Sequence, residues 1–307
     1  MNDNEWEIII IGGGPAGLAA GIYAARGGAK VLLFAGAAVG GQIVLANEVE
    51  NFPGFPQPVA GAELMQKMEA QAKRLGCLVL NSKVAGIKID KSPFAISDLA
   101  GKQYYAKALI VATGARARWS GLPSEAKFRN KGVSTCATCD GFFFRGKDVC
   151  VIGGGDTAAE DALFLARFVN KVYLIHRRDK FRAAAPTMDK IRKNGKIEVI
   201  IDSVLDEILG SERIESIRIK NVRTGEFREI KLSGVFLAIG HDPETSLVKG
   251  KLELDDGGYI RTDSTQQTSV KGVFAAGDVT DPVYKQAVVA ASSGAIAAIE
   301  AVKFINE

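Results

Sequence analysis

The chain has 307 residues, of which 47% are hydrophobic and 24% charged, with 34 glycines. Its length is a soft prior for two domains, and the apolar fraction is ample for two buried cores. A formal net charge of +4 is no argument for a nucleic-acid or membrane partner. The polar start, Met1 to Glu7, does not read as a secretory signal, and no window is expected to reach the roughly 18 apolar residues of a membrane span. Four cysteines are too few for a disulfide scaffold at this length, so a reducing cytoplasm is the expected compartment.

The first elements form a unit. Glu7 to Ile11 is a short apolar run that suits a buried strand. Gly12-x-Gly14-x-x-Gly17 follows, then an alanine-rich segment to Gly27 that reads as a helix, then a second strand over Lys30 to Phe34. In such a β-turn-α unit the first glycine permits the tight turn, the second lets backbone approach a pyrophosphate, and the third allows close helix–strand packing. Amides at the helix start face the phosphates. The acid that often ends the second strand and holds a ribose hydroxyl is missing, because Phe34-Ala35-Gly36 stands there. Asn51 to Pro58 reads as a loop, Glu63 to Leu75 as a helix, and Tyr104 to Ala112 as a strand closed by Thr113-Gly114.

Arg116 to Lys131 has no clean period and reads as a connection. A second unit then begins, with a strand over Val149 to Ile152, the turn Gly153-x-Gly155-x-x-Ala158, a helix from about Thr157 to Phe168, and a strand over Lys171 to Ile175. That strand runs into His176-Arg177-Arg178, with Arg182 close behind. An NAD site would favour an acid at this point. Guanidinium groups match a doubly negative 2′-phosphate through forked, charge-assisted bonds, so NADPH is the expected nucleotide. His176 reads as a packing or hydrogen-bonding residue. The segments Ile197 to Leu209 and Ile214 to Lys220 are compatible with a hairpin or meander. Val235 to Ile239 is a strand ending at Gly240, and Gly272 to Asp278 another, ending in a glycine and an acid. That acid suits either a flavin ribityl hydroxyl or a turn cap. Gln286 to Phe304 is a helical tail of small residues. The repeated order predicts an α/β chain of two Rossmann-like dinucleotide-binding folds.

Cys136-Ala-Thr-Cys139-Asp140 lies just ahead of the second fingerprint. A lone Cys-x-x-Cys can be a zinc half-site, a redox pair or neither. Structural zinc needs four ligands, and the sequence offers no second pair and only two histidines, both explained otherwise. The spacing lets two thiols meet in one turn at the start of a helix, where free amides lower a thiolate's pKa. Asp140 opposes thiolate formation by like charge, donates a proton if its own pKa is raised, or caps the turn. Cys77 and Cys150 read as small buried hydrophobes.

Taken in order, these motifs resemble those of the low-molecular-weight thioredoxin reductases of the bacterial type. The resemblance spans essentially the whole chain. It rests on Gly12 to Gly17, Gly40-Gly41-Gln42, Glu48 to Gly54, Ala112 to Ala115, Cys136 to Gly141, Gly153 to Thr157, His176 to Asp179 with Phe181-Arg182-Ala183, Gly277-Asp278-Val279 and Gln286-Ala287. It implies that the second fold is inserted into the first: a discontinuous FAD-binding domain over 1–115 and 245–307, and an NADPH-binding domain over 116–244 that carries the cysteine pair. It implies FAD contacts from Gly12, Gly14, Pro15, Ala16, Gly17, Gly41, Gln42, Asn51, Thr113, Gly114, Asp278, Gln286 and Ala287. It implies NADPH contacts from Gly153, Gly155, Asp156, Thr157, His176, Arg177, Arg178 and Arg182.

Cys136 would exchange with substrate, Cys139 would face the flavin, and Asp140 would donate the proton. The expected enzyme is a cytoplasmic homodimer that reduces thioredoxin, without metal, nucleic acid or membrane. The alternative substrate is another small redox protein, glutaredoxin-like or peroxidase-linked. In the family the inserted domain swivels, which makes Ala115 to Arg118 and His241 to Pro243 the candidate hinges. Lys285 stands where the family commonly has arginine, which keeps the charge and loses the fork.

Overall fold

The computed structural model describes residues 4–307, which form two compact units. One runs up to Arg116 and resumes over Asp242–Glu307; the other is Ala117–His241.

The first unit opens with β1 (Glu5–Ile11), α1 (Pro15–Arg26), β2 (Val31–Phe34), α2 (Gly61–Arg74) and β3 (Leu78–Leu80). It continues with β4 (Val84–Lys88), β5 (Phe94–Asp98), β6 (Gln103–Val111) and β7 (Ala115–Ala117), where the chain leaves. The second unit holds α3 (Pro123–Phe128), β8 (Val133–Ser134), α4 (Ala137–Asp140), β9 (Asp148–Gly153), α5 (Asp156–Leu165), β10 (Lys171–Ile175), α6 (Ala185–Lys193) and β11 (Ile197–Ile200). A meander follows, β12 (Ser203–Leu209), β13 (Ser216–Asn221) and β14 (Phe227–Lys231), and then β15 (Gly234–Ala238). β16 (His241–Pro243) carries the chain back and pairs with β7, and β17 (Val273–Ala275) and α7 (Ala287–Asn306) finish the first unit.

The first sheet has the order β3-β2-β1-β6-β5-β4, with β17 also on β6. The pairings among β3, β2, β1, β6 and β17 are parallel, and those of β6 with β5 and β5 with β4 are antiparallel. β6 is shared along its length: its first residues, Gln103 to Ala106, pair with β5, and Leu109 to Val111 pair with β17.

Both faces of this sheet are covered, which explains why β1 and β2 are unbroken apolar runs. Ile8, Ile10, Val31 and Leu33 pack on the side of α1, α2 and α7. Ile9, Ile11, Leu32 and Phe34 pack on the other, with Ile87, Phe94 and Ile96 of the antiparallel strands. Each such side chain contributes about 1.5–3 kcal/mol of burial.

The second sheet has the order β11-β10-β9-β15-β8, all parallel. Its helix side holds Val149, Val151, Val172 and Leu174 with α5 and α6; the opposite side holds Cys150 and Val235 with Leu205, Ile217 and Ile219 of the meander. Both sheets are the dinucleotide-binding kind that the repeated motif predicts.

Two expectations need correction, and one pair of strands was not anticipated. The stretch read as a connection contains α3; at six residues it is too short to show a period, although Pro123 at its first turn suits a helix start. β4 and β5 escaped the motif reading because they are a short antiparallel pair beside the Rossmann unit. α7 is long and apolar enough, by length and composition, to cross a membrane. Its small residues serve packing: a Cβ on Gly294 would stand 2.0 Å from the Ala16 carbonyl oxygen, and Ala297, Ala298 and Ala301 are fully buried.

Candidate active site

The redox turn hangs from the edge of the second sheet. β8 pairs with β15 through Val133 and Ser134, and the chain then turns into α4 with Cys136 as its extended N-cap residue. Cys136 and Cys139 form a disulfide with their Cα atoms 5.3 Å apart. The backbone N–H of Cys139 points at Cys136 Sγ, 3.2 Å away, and the Thr138 hydroxyl lies 3.4 Å from the same sulfur. An amide aimed at a sulfur favours its thiolate once the bond opens.

Ser134, unremarked in the sequence, is the brace of this turn. Its Oγ accepts from the Cys136 N–H at 3.0 Å, and its hydroxyl reaches the Asp140 carboxylate. Burial pushes the Asp140 carboxyl above its usual range, and the Ser134 hydrogen bond opposes that rise. The raised value leaves Asp140 protonated over a wider pH range, which is what a proton donor needs. Gly141 follows because a Cβ there would stand 2.7 Å from Leu165 Cδ2 on α5.

Three phenylalanines come next. Phe144 is pinned edge-to-face on Phe236, with ring centroids 5.4 Å apart, whereas Phe142 and Phe143 are 57% and 42% exposed. These two exposed aromatic side chains follow exposed Cys139 within four residues, an apolar surface that the motifs do not announce. The signal was there in the run Phe142-Phe143-Phe144, since only one of the three is needed in the core.

The two fingerprints are built as the glycine spacing requires. In the first, a Cβ on Gly12 would lie 2.0 Å from the Ala112 carbonyl oxygen, and one on Gly17 would lie 1.8 Å from that of Gly12. A Cβ on Gly14, the N-cap residue of α1, would meet nothing within 4 Å, so that side of the turn is open for a pyrophosphate. Gly40 donates to the Gly13 carbonyl at 2.8 Å, and the Cβ position of Gly41 lies 3.4 Å from Gly14 Cα, so the Gly41-Gln42 segment folds beside the fingerprint.

Gly277 approaches from β17; its N–H donates to Ser293 Oγ, and a Cβ there would lie 2.8 Å from Ala16 Cβ. The adjacent Asp278 has its carboxyl raised to about 6, by burial first and then by Asp281, with Lys285 opposing. Among the described residues none hydrogen-bonds that carboxylate, which suits it to accept from a sugar hydroxyl. Asn51 Nδ2 donates to Gln286 Oε1 at 3.2 Å across 235 residues of sequence, and Gln286 is the N-cap residue of α7, just before Ala287. Thr113 donates its hydroxyl to the Glu244 carbonyl at 2.7 Å, and Gly114, at φ 75°, makes the turn beside it.

In the second fingerprint, a Cβ on Gly153 would lie 2.4 Å from the Ala238 carbonyl oxygen, and the Cβ position of Gly155 is open. Asp156 uses its carboxylate to accept from the Ala184 N–H at 2.8 Å, and Arg182 donates its N–H to Gly154 at 2.7 Å. The two loops are thereby laced together ahead of Thr157. His176 is buried, stacks on Phe181 with ring centroids 4.8 Å apart, and bonds the Lys180 carbonyl through Nε2. Burial lowers its pKa, with Arg178, Arg177 and Arg182 nearby adding to the effect and the Lys180 carbonyl opposing it. Arg177, Arg178 and Arg182 are exposed, and among the described residues none of the three side chains pairs with a carboxylate.

An open cradle at each helix start, a half-buried carboxylate in one unit and three exposed guanidinium groups in the other, none of the four paired among the described residues, fit a flavin dinucleotide and a phosphorylated nicotinamide dinucleotide. The comparisons agree. The model of the family described as pyridine nucleotide-disulphide oxidoreductase matches residues 6–294. The thioredoxin reductase of Rickettsia conorii is 49% identical over 305 residues, covering 98% of each chain. That of Streptomyces coelicolor is 45% identical over 301 residues, 97% of this chain and 94% of the relative. Among solved structures, thioredoxin reductase from Giardia duodenalis superposes with a TM-score of 0.95 at 44% identity, covering 99% of this chain and 100% of the other. The Streptococcus pyogenes enzyme gives 0.93 at 37% identity, covering 99% of both.

The chain therefore belongs to the pyridine nucleotide-disulphide oxidoreductases, flavin-dependent enzymes that couple a nicotinamide to a disulfide. Within that class its place is among the low-molecular-weight thioredoxin reductases, with FAD and NADPH as cofactors.

Proposed function

We propose that the chain reduces the disulfide of thioredoxin at the expense of NADPH, with Cys136, Cys139 and Asp140 as its reacting groups. The observation that carries this reading is the Cys136–Cys139 disulfide followed directly by half-buried Asp140, whose carboxyl desolvation holds above its usual range. Bound FAD would supply the link between nucleotide and disulfide, as hydride acceptor toward NADPH and two-electron donor toward that disulfide.

The opened Cys136 sulfur, stabilised as thiolate by the Cys139 amide, attacks one sulfur of the substrate disulfide. A mixed disulfide forms, the substrate's own S–S bond breaks, and its departing sulfur takes a proton. Cys139 then attacks Cys136 Sγ, which restores the protein disulfide and releases the second substrate sulfur as a thiol. Asp140 is placed to give a proton to a departing sulfur. Phe142 and Phe143 offer the protein substrate an apolar contact beside the pair.

Gly12, Gly14, Pro15, Ala16 and Gly17, with Gly41, Gln42, Asn51, Thr113, Gly114, Asp278, Gln286 and Ala287, hold FAD in this reading. Gly153, Gly155, Asp156 and Thr157, with His176, Arg177, Arg178 and Arg182, hold NADPH. That assigns FAD to the discontinuous first domain and NADPH with the redox pair to the inserted one. The free, buried thiols Cys77 and Cys150 support a reducing, cytoplasmic setting. Exposed Tyr23 on α1 and exposed Ile296 and Ile299 on α7 are apolar surface that a second copy would cover.

The test is anaerobic. NADPH, then NADH, is added to the flavoprotein while flavin absorbance is followed, and oxidised thioredoxin is then supplied. Bleaching by NADPH with return of colour on thioredoxin supports the reading. Bleaching without return moves the substrate to another small carrier, and no bleaching by NADPH overturns the nucleotide assignment.

A further inference from the structure

We propose that Arg223, on the hairpin between β13 and β14, sharpens the preference of the second unit for a phosphorylated nucleotide by keeping the carboxylate of Asp179 away from the arginines of the 2′-phosphate site. The inference rests on the reading of Arg177, Arg178 and Arg182 as that site.

The sequence places an acid where it does harm. Asp179 follows directly on Arg177 and Arg178 and lies three residues before Arg182. An exposed carboxylate there has two ways to weaken anion binding: it repels a 2′-phosphate, and it competes for the guanidinium groups. In the structure it does not pair with them. Asp179 Oδ2 is held instead by Arg223 Nη2 at 3.3 Å. The same guanidinium reaches Asp202 Oδ1 through Nε at 3.1 Å, so it sits between two acids.

The hairpin that presents Arg223 is fixed by its own chemistry. Asn221 Oδ1 accepts from the N–H of both Arg223 and Thr224, at 2.9 and 3.0 Å. Gly225, at φ 78°, closes the turn, and Thr224 Oγ1 bonds Glu226 Oε2 at 3.1 Å. Val222 donates to the Asp202 carbonyl at 2.7 Å, and Asp202 in turn donates its N–H to the Arg178 carbonyl. Ser203 donates to the His176 carbonyl at 2.9 Å. The meander, which takes no part in the dinucleotide fold, is thus bonded to the backbone of the arginine turn on one side and to its acid on the other. Arg223 is a positioning residue in this arrangement, since it acts on the phosphate only through Asp179.

The test is a titration of oxidised holoenzyme with NADP+ and with NAD+, alongside steady-state kinetics with NADPH. For Arg223→Ala the Kd for NADP+ rises roughly two- to fivefold, the range an exposed ion pair commands. The Kd for NAD+ stays put, and the change in steady state lies in KM for NADPH with kcat within twofold. Asp179→Asn in the same chain brings the NADP+ affinity back, because the acid that Arg223 restrains is gone. Equal weakening of NADP+ and NAD+, no weakening of either, or a double variant no better than Arg223→Ala overturns the proposal. A wild-type enzyme that binds NADP+ and NAD+ equally overturns the underlying reading of the arginine turn, and the proposal with it.

Discussion

The two fingerprints are nearly the same object, and they part company one strand later. In each, a glycine at the N-cap of the helix faces open space, and another sits so close to a carbonyl that no side chain fits. In each, the residue between those glycines is also a glycine, because it packs on the end of the second strand. In the first unit it meets Ala35, and a Cβ on Gly13 would lie 2.8 Å from the Ala35 Cβ. In the second it meets His176, and a Cβ on Gly154 would lie 2.1 Å from the imidazole. After that point one chain runs on through Gly36 without charge, and the other through three arginines. The cradle is generic to a pyrophosphate, and nucleotide identity is written at the end of the second strand.

The sharpest way to separate what the two cradles do from what the cysteine pair does is Cys139→Ser. Thioredoxin reduction is expected to fall by more than about 10³-fold, as when one member of a catalytic set is removed. Bleaching of the flavin by NADPH, followed by stopped flow, is expected to survive, because that half-reaction does not use the thiol. Loss of both would mean that the two halves are not chemically distinct.

Asp140→Asn comes next, with an expected loss of about 10²-fold in kcat for thioredoxin, within the usual range for a general acid. The sign of its pH dependence follows from its raised pKa. A proton donor works while protonated, so wild-type kcat declines as pH rises through the Asp140 pKa, and the asparagine variant lacks that limb. A pH profile of single-turnover thioredoxin reduction checks it.

The smallest of these three effects belongs to Arg177→Gln. One charge-assisted bond to a 2′-phosphate at this exposed position is worth about 1.5 kcal/mol, the low end for a bond to a charged group, so KM for NADPH is expected to rise about tenfold. KM for NADH and the flavin content are expected to stay unchanged. A drop in flavin content would break the separation between the two cradles.

Much of this was legible in the residues. Strand, glycine turn, helix and strand recur with their glycines in place, and backbone sterics leave few other uses for that spacing. The cysteine pair was legible for the same reason. What escaped was whatever depends on contacts distant in sequence or on segments too short to show a period. Ser134 looks like any serine until the fold sets its hydroxyl between Cys136 and Asp140. α6, which opens on Ala185-Pro186, carries no motif, and its role shows only in Met188 and Ile191, buried on the helix side of the second sheet. Arg223 is one basic residue on a polar hairpin until its partner proves to be Asp179.

β6 carries a last consequence, in the order of events during synthesis. Its C-terminal half needs β17, and α1 needs the small-residue face of α7, yet both partners lie beyond the inserted unit. On the ribosome, residues 117–241 emerge with all the strands of their own sheet before the first unit has its final strand and helix. Domains fold as units in the order in which they are completed. The unit translated first is therefore finished last, and until then the open side of β6 and the bare flank of α1 need shelter from other nascent chains. A chain arrested at about residue 245 would carry a complete inserted unit on an incomplete host.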